Sequence, residues 1–130
     1  AVEQRDVSYV AIADQGGSDQ DEIEVRHILF APKDDAQGAS KLDPSDPAWA
    51  AAEAEANAAL AKLQSGADFA TLAKQFSDDK TSGANGGQLP WFGLYKMPQV
   101  FEAASFALKN NGDISEPIKT AWGWHIIKRK

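Results

Sequence analysis

The chain has 130 residues, and its 13 basic and 19 acidic side chains give a net charge of −6 at pH 7 when both histidines are neutral. The length fits one domain, and the acidic charge argues against nucleic acid or an anionic membrane surface as a partner. The absence of cysteine excludes disulfides, thiolate nucleophiles and cysteine-based metal sites. No apolar run approaches the roughly 20 residues of a membrane span, so we expect no membrane insertion of this segment.

The first part of the chain divides into a flank and the beginning of a domain. Apolar residues alternate along residues 5–13, which predicts a strand, and a polar, glycine-containing stretch follows at 14–22. We interpret residues 1–22 as a flank or linker from a neighbouring region, and because residue 1 is not Met we expect the protein to be part of a longer chain. Alternation over residues 23–31 predicts the first strand of the domain. One face of that strand carries Ile23, Val25, His27 and Leu29.

The next segment predicts a long loop and a long helix. Residues 32–44 contain Gly, Pro, Asp and Ser with no period, which is typical of a loop. Asp46 is placed to cap a helix in which Pro47 is the first residue. Nine of the fourteen residues 48–61 are alanine, a composition that favours helix, and we expect the helix to end near Ser65.

The remaining elements place further helices before a pair of strands. Asp68 caps a predicted helix at 69–76, a glycine-rich loop follows at 77–88, and Pro98 begins a helix that extends to about residue 108. The last predicted strands are 114–120, interrupted by a proline, and 122–129. Strands at both ends with helices between them predict an α+β fold with a mostly antiparallel sheet.

The two histidines are the first candidates for chemistry. His27 and His125 each open an aliphatic stretch, and the rings can meet if both strands lie side by side. A single histidine in such a strand is more often a core residue, but two in matching contexts weaken that interpretation. A metal site would need both histidines with Asp78 or Asp79, and since nothing fixes their spacing we expect no metal.

Other catalytic motifs receive little support. Ser77 does not lie in a Gly-x-Ser-x-Gly turn, so a Ser-His-Asp nucleophile is not indicated. The glycines at 83–87 are not followed by Lys and Ser or Thr, so they do not form a phosphate-binding loop. A group of apolar residues follows them and is interpreted either as core or as the lining of a shallow pocket. This group comprises Leu89, Trp91, Phe92, Met97 and Phe101.

An ordered set of short segments is more specific than any of these features. The segments read VRHILF at 25–30, FSDD at 76–79, GGQL at 86–89, WF at 91–92, FEAASFAL at 101–108, GDISEP at 112–117 and GWHII at 123–127. In this order they resemble the parvulin-type peptidyl-prolyl cis-trans isomerases (PPIases). The resemblance covers residues 23–130, and it implies a parvulin-like α+β domain there. In that fold a roughly four-stranded, mostly antiparallel sheet is packed with three to four helices.

The resemblance also implies the site residues. The catalytic positions would be His27, Asp79, Thr120 and His125, where Asp79 occupies a position that is either Cys or Asp in the family. The substrate proline would be held by Leu89, Met97 and Phe101, with Phe92 at the neighbouring aromatic position. No metal and no cofactor are implied. Pro90 departs from the family pattern, which usually has glycine after the Gly-Gly-x-Leu motif.

The implied activity is isomerisation of X-Pro bonds in unfolded or extended protein clients, by a non-covalent mechanism because Asp79 replaces cysteine. Residues 31–48 contain two lysines and four aspartates, whereas phosphoserine-directed members carry a basic cluster there, so we expect no phosphate specificity. The alternative is a non-catalytic, peptide-binding chaperone module of a larger envelope foldase. A third hypothesis is a structural interaction domain in which the histidines are only core residues. By resemblance alone, the expected location is the bacterial periplasm or cell envelope.

Overall fold

The computed structural model describes residues 22–93 and 96–130. The predicted strand at 5–13 and nearly all of the predicted flank lie outside these residues. Glu22, the last residue of that flank, belongs to the first strand of the fold. The described part of the chain combines helices with antiparallel sheets, which confirms the predicted α+β class.

A three-stranded antiparallel sheet lies at the centre of the domain. Its middle strand is β5 (Gly123–Arg129), which pairs with β2 (Val25–Phe30) on one side and with β4 (Ile118–Thr120) on the other. In the β2–β5 register, His27 lies opposite Ile127 and Leu29 lies opposite His125. The two histidines are therefore diagonal neighbours on the same face of the sheet.

The other two strands form a separate pair. The strands are therefore divided between two sheets, whereas one sheet of about four strands was predicted. β1 (Glu22–Ile23) pairs with β3 (Phe92–Gly93), a short strand that the sequence pattern did not predict. The predicted strand at 23–31 is interrupted at Glu24. The predicted strand at 114–120 keeps only its last three residues and one isolated bridge from Ile114 to β5, because proline has no N–H to donate to a ladder.

Three helices confirm the predicted segments, and the first two also confirm their predicted caps. α1 (Pro47–Gln64) begins where Asp46 accepts a hydrogen bond from the backbone N–H of Ala48. α2 (Phe69–Phe76) begins where the side chain of Asp68 accepts from the N–H of Thr71. α4 covers Gln99–Ala107, with Pro98 as its N-cap residue and no capping side-chain bond.

Both predicted loops contain short helical turns. Residues 32–44 include the 3₁₀ turns Pro32–Asp34 and Ala39–Lys41. The glycine-rich segment contains α3 (Lys80–Gly83), which begins where the Asp79 carboxylate accepts from the N–H of Ser82. A four-residue helix has too little periodicity to be predicted from its pattern, so its only sequence signal is this capping aspartate.

The two faces of the sheet bury different cores. On one face, aliphatic and aromatic residues of β2 and β5 pack against α1 and α2; they include Ile28, Phe30 and Ile126. On the other face a second cluster packs towards α4 and includes Ile23, Val25, Phe92, Phe101 and Ile127. Both histidines belong to the second face, so the site described below opens on the α4 side.

The free edge of β2 holds two loops in place. The backbone N–H of His27 donates to the carbonyl of Gly87 over 2.9 Å, and the N–H of Leu89 donates to the carbonyl of Val25. Two residues along, the N–H of Leu29 donates to the hydroxyl of Ser77 over 3.1 Å. The glycine turn and the start of α3 are thus fixed beside His27.

The two ends of the described domain meet at one corner. The Lys130 ammonium lies 2.8 Å from a carboxylate oxygen of Glu24, and the N–H of Lys130 donates to the Glu24 carbonyl. Nothing between residues 22 and 93 or 96 and 130 forms a helix that is long and apolar enough to cross a membrane.

We predict that Gly87→Ala destabilises the fold far more than Gly66→Ala. Both glycines have positive φ, +87° and +104°, but a methyl group at Gly87 would lie 2.5 Å from the carbonyl oxygen of His27, whereas nothing lies within 4 Å of one at Gly66. The left-handed conformation alone costs about 1–2 kcal/mol for alanine, and overpacking adds about 1–3 kcal/mol at Gly87 only. Urea denaturation measures both losses, and equal losses would contradict this account.

Candidate active site

Two buried imidazoles form the centre of the site. His27 is 5% exposed and His125 is 3% exposed. Their rings are nearly parallel, with an interplanar angle of 20° and centroids 5.2 Å apart. The Nδ1 atoms are 3.0 Å apart, which is a hydrogen-bond distance. The diagonal register of β2 and β5 brings the two rings into this contact.

The outer nitrogen of His27 is bound by the capping residue of α3. Its Nε2 lies 2.8 Å from an oxygen of Asp79 and 3.0 Å from the hydroxyl of Ser82. The same hydroxyl donates to Asp79 over 2.7 Å. One carboxylate therefore caps a helix and binds the first imidazole.

The outer nitrogen of His125 is bound from the opposite side. Its Nε2 lies 2.7 Å from the hydroxyl of Thr120, at the end of β4. The backbone N–H of Trp122 donates to the same hydroxyl oxygen over 3.2 Å. Each of the four imidazole nitrogens thus has a partner.

These contacts determine the direction of every hydrogen bond when both rings are neutral. An ionised Asp79 can only accept, so His27 donates through Nε2 and accepts at Nδ1. His125 must then donate through Nδ1 and accept at Nε2, and the donor to that nitrogen is Thr120. We call this directed chain from Thr120 through both rings to Asp79 the histidine relay.

The surroundings of the histidine relay stabilise these charge states. The hydrogen bond from His27 holds the pKa of Asp79 far below its ordinary value, with further bonds from Ser82 acting in the same direction. Burial lowers the pKa of His125 to about 3, and the adjacent His27 also lowers it. At neutral pH the relay therefore ends in a carboxylate and contains a neutral His125.

Phe101 contacts both rings of the relay. Its ring is edge-on to His27, with centroids 5.6 Å apart, and edge-on to His125, with centroids 5.3 Å apart. The side chain is 1% exposed and packs on Ile127 and its neighbours in the second core. An aromatic wall therefore separates the imidazole pair from the rest of α4.

A cleft of about 580 Å³ opens beside this group. Its apolar lining comes from several elements and consists of Leu29, Ala36, Leu89, Met97, Pro98, Phe101 and Trp122. Both histidines reach it, and its polar rim includes Asp34, Asp35, Asp78, Asp79 and Lys80. The cleft thus combines an apolar floor, two imidazole edges and a predominantly acidic rim.

Six of the eight predicted site residues line this cleft: His27, Asp79, Leu89, Met97, Phe101 and His125. The other two stand behind it. Phe92 is buried in the second core, where its ring centroid is 6.0 Å from that of Phe101. Thr120 reaches the site through its bond to His125. Direct contact between substrate and Phe92 is not supported by this placement, whereas Phe92 does support Phe101.

The sequence did not predict every participant in the site. Ser82 belongs to the unpredicted α3, and its signal would have been its position three residues after a capping aspartate. Trp122 lies at the rim of the cleft, and its N–H orients Thr120. Asp34 also lies at the rim, although only the acidic excess of its loop pointed to a role. Over residues 22–93 and 96–130, no three potential ligands converge to hold a metal ion.

Comparison with known proteins agrees with this geometry. The family model described as "Rotamase: PPIC-type PPIASE domain" matches residues 27–130. The chain belongs to this family. It therefore contains a peptidyl-prolyl isomerase domain of the parvulin type, and its fold is that of solved parvulin structures.

The relatives are foldases, chaperones and parvulins. The chain is 53% identical to "Foldase protein PrsA 2" of Listeria monocytogenes over 84% of its own length and 30% of that protein. It is 35% identical to "Chaperone SurA" of Pseudomonas syringae over 88% of this chain and 25% of that one. The solution structure of NmPin, the parvulin of Nitrosopumilus maritimus, superposes with a TM-score of 0.58 at 35% identity, covering 88% of this chain and 98% of NmPin. The chain therefore covers less than a third of the length of these foldase and chaperone relatives, but nearly the whole length of the small parvulin NmPin.

We predict that lowering the pH reduces the free energy of unfolding because His125 is held neutral in the folded state. The unfolded chain binds a proton at this residue near the ordinary pKa of 6.5, whereas the folded state stays neutral down to about pH 3. Because the unfolded state binds more protons in this window, the free energy of unfolding falls with falling pH, by up to about 1.4 kcal/mol per pH unit. The lowered pKa of Asp79 adds a further loss only below its ordinary value of 3.8.

Denaturation curves between pH 7 and pH 4 test this prediction. The slope of the free energy of unfolding against pH should be smaller in His125→Gln than in the parent, whatever the variant's absolute stability. The imidazole ¹³C shifts of His125 should also stay at neutral values over this range. A ring that titrates near pH 6.5 in the folded protein would overturn the assignment.

Proposed function

We propose that the cleft beside the histidine relay binds a proline residue of an unfolded or extended protein chain and accelerates rotation about the preceding peptide bond. The observation that carries this proposal is the meeting of an apolar floor with two buried, hydrogen-bonded imidazoles in one open cleft. Membership of the PPIC-type family supports the same reaction.

The reaction requires only a modest stabilisation of its transition state by the site. Rotation about a peptide bond is opposed by resonance, with a barrier of roughly 18–20 kcal/mol, and the two X-Pro isomers differ by only about 0.5–1 kcal/mol. A thousandfold acceleration therefore needs about 4 kcal/mol of additional stabilisation of the twisted state. The twisted amide has lost charge separation, so a water-poor, apolar pocket favours it over the planar amide, which water solvates better.

We assign the pyrrolidine ring to the apolar part of the cleft. Leu89 and Met97 are half-buried and line it from two loops, and Phe101 closes its floor. The histidine relay forms a polar wall beside which the carbonyl rotates, and its internal hydrogen bonds fix both imidazole edges in place. In this proposal Thr120 acts by orienting His125, and Phe92 acts by supporting Phe101.

A non-covalent mechanism agrees with the state of Asp79. Its carboxylate accepts hydrogen bonds from His27, from the Ser82 hydroxyl and from the Ser82 backbone. A carboxylate adduct with an amide would not form or break usefully, and these bonds would all have to be given up. We therefore assign Asp79 to fixing His27.

The acidic rim of the cleft favours substrates that carry no phosphate group. Asp34, Asp35 and Asp78 line the cleft, against Lys80 as its one lysine in the described part of the chain. A phosphate group with a charge near −2 would be repelled by these carboxylates.

We expect a phosphoserine-proline peptide to be turned over no faster than its serine-proline counterpart. Exchange NMR on the two peptides under identical conditions measures the ratio of kcat/KM. The serine-proline peptide serves as the internal control for the reaction itself. A large preference for the phosphorylated peptide would contradict the assignment of the rim.

We further propose that the domain acts as one module of a longer foldase, with the residues that precede Glu22 as the linker to a neighbouring region. The chain covers only 24–31% of the length of the foldase and chaperone relatives, which supports this arrangement. Their names also support unfolded proteins as clients. By the same resemblance we propose the bacterial periplasm or cell envelope as the location.

The direct test is exchange spectroscopy on a short proline peptide with and without this chain. We expect acceleration by the parent and, for Met97→Ala, a roughly tenfold lower kcat/KM, because about 1.4 kcal/mol of contact with the proline ring is lost. Leu108→Ala is the matched control: Leu108 packs on the same core as Met97 but does not line the cleft. Parent-like activity of Met97→Ala would refute the pocket assignment.

A peptide-binding chaperone without catalysis is the second candidate, favoured by the relative named "Chaperone SurA". The same experiment distinguishes the two functions. A domain that only binds the peptide would shift or broaden the peptide signals and leave the cis-trans exchange rate unchanged. Acceleration at catalytic protein concentrations excludes that candidate.

A further inference from the structure

A second groove adjoins the cleft and is lined mainly by residues of α1 and of the end of α2. It has a volume of about 460 Å³, and its apolar walls are formed by Phe30, Ala58, Ala59 and Phe76. Phe76 is 45% exposed although it is a large aromatic residue at the end of α2. We call this depression, together with Glu55 on its α1 side, the flanking groove.

The flanking groove is continuous with the cleft. Asp34, Asp78 and Lys80 line both depressions, so these side chains form the shared border. Asp78 is fixed at this border because its carboxylate accepts a hydrogen bond from the N–H of Ala31 over 2.8 Å. A chain that leaves the cleft across this border passes directly into the flanking groove.

The carboxylates that line the flanking groove, Asp34, Glu55 and Asp78, outnumber its two lysines, Lys62 and Lys80. Burial raises the pKa of Glu55, and the charges of Asp34 and Asp78 raise it further. Burial likewise raises the pKa of Asp78 and the charge of Asp34 raises it further, whereas the hydrogen bond from Ala31 and the charge of Lys80 act in the opposite direction. The three acidic side chains therefore repel one another across the groove.

Each of the two lysines of the flanking groove has a contact with a group other than a carboxylate. The ammonium of Lys80 donates to the backbone carbonyl of Ser77 over 2.9 Å. The ammonium of Lys62 lies over the ring of Phe76, 5.4 Å from its centroid. Within the described residues, neither forms an ion pair with Asp34, Glu55 or Asp78.

We propose that the flanking groove binds the client segment next to the proline and selects a basic side chain there. This inference rests on the proposed isomerase function and adds a substrate preference to it. The three carboxylates supply the charge complementarity, and the continuous border supplies the path for an extended chain. Phe76 stays 45% exposed although Lys62 lies over its ring, and its exposed part suits the aliphatic stem of Lys or Arg, with the charged end directed towards Glu55.

A peptide series measures the preference. Each peptide has about nine residues, which span about 30 Å when extended, with one central proline and with Lys or Glu placed at each flanking position in turn. We expect at least one position at which Lys gives a kcat/KM about two- to fivefold higher than Glu, the range of a partly screened ion pair. Added salt should reduce this ratio.

The Glu55→Gln variant tests whether the flanking groove causes the preference for Lys. This variant should turn over a short tetrapeptide at the parent rate, because Glu55 does not line the cleft, and should lose most of the preference for Lys in the longer peptides. Glu53→Gln is the matched control: it makes the same charge change on the same helix, at an exposed residue that lines neither depression. It should keep the preference.

The possible failures are distinguishable. Without acceleration of any peptide, the isomerase proposal itself fails. If the tetrapeptide is isomerised but Lys and Glu peptides are equivalent at every position, the proposed preference is wrong. If the preference exists but survives Glu55→Gln unchanged, the flanking groove is not its source and the rim of the cleft must be.

Discussion

The requirement that buried imidazoles be fully hydrogen-bonded governs the structure around this site. Leaving any of the four ring nitrogens of His27 and His125 without a partner in the core would cost about 1–3 kcal/mol. The fold meets that requirement with groups from three separate elements: the other ring, the cap of α3 and the end of β4. The groups that bind the imidazoles must also be held in position. Backbone hydrogen bonds do this by fixing the glycine turn and the start of α3 to β2.

Much of the fold could be predicted because its signals are local. The caps at Asp46 and Asp68 and the alanine-rich composition of α1 each act within a few residues, and those helices have the predicted positions. α3 and β3 were missed because they contain four and two residues, and their formation depends on tertiary contacts. The division of the strands into two sheets likewise depends on pairing between distant segments.

The site was predicted mainly by resemblance, and the structure shows which parts physical reasoning could have supplied. Matching contexts suggested that His27 and His125 meet, and the antiparallel register of β2 and β5 explains why they do. The direction of the hydrogen bonds, the role of Ser82 and the burial of Phe92 behind Phe101 required coordinates, because each depends on side-chain positions across elements. The acidic excess of residues 31–48 was visible in the sequence, but the position of Asp34 on the border of two adjoining depressions was not.

The ion pair between Glu24 and Lys130 has a consequence for how such a domain is carried in a longer polypeptide. Because the chain enters and leaves at one corner, the whole unit can be inserted into a loop of a host protein without separating the ends of that loop. Tension applied along the host chain would then act on this corner and on the short β1–β3 pair. The three central strands and the imidazole pair would be spared until that corner opened.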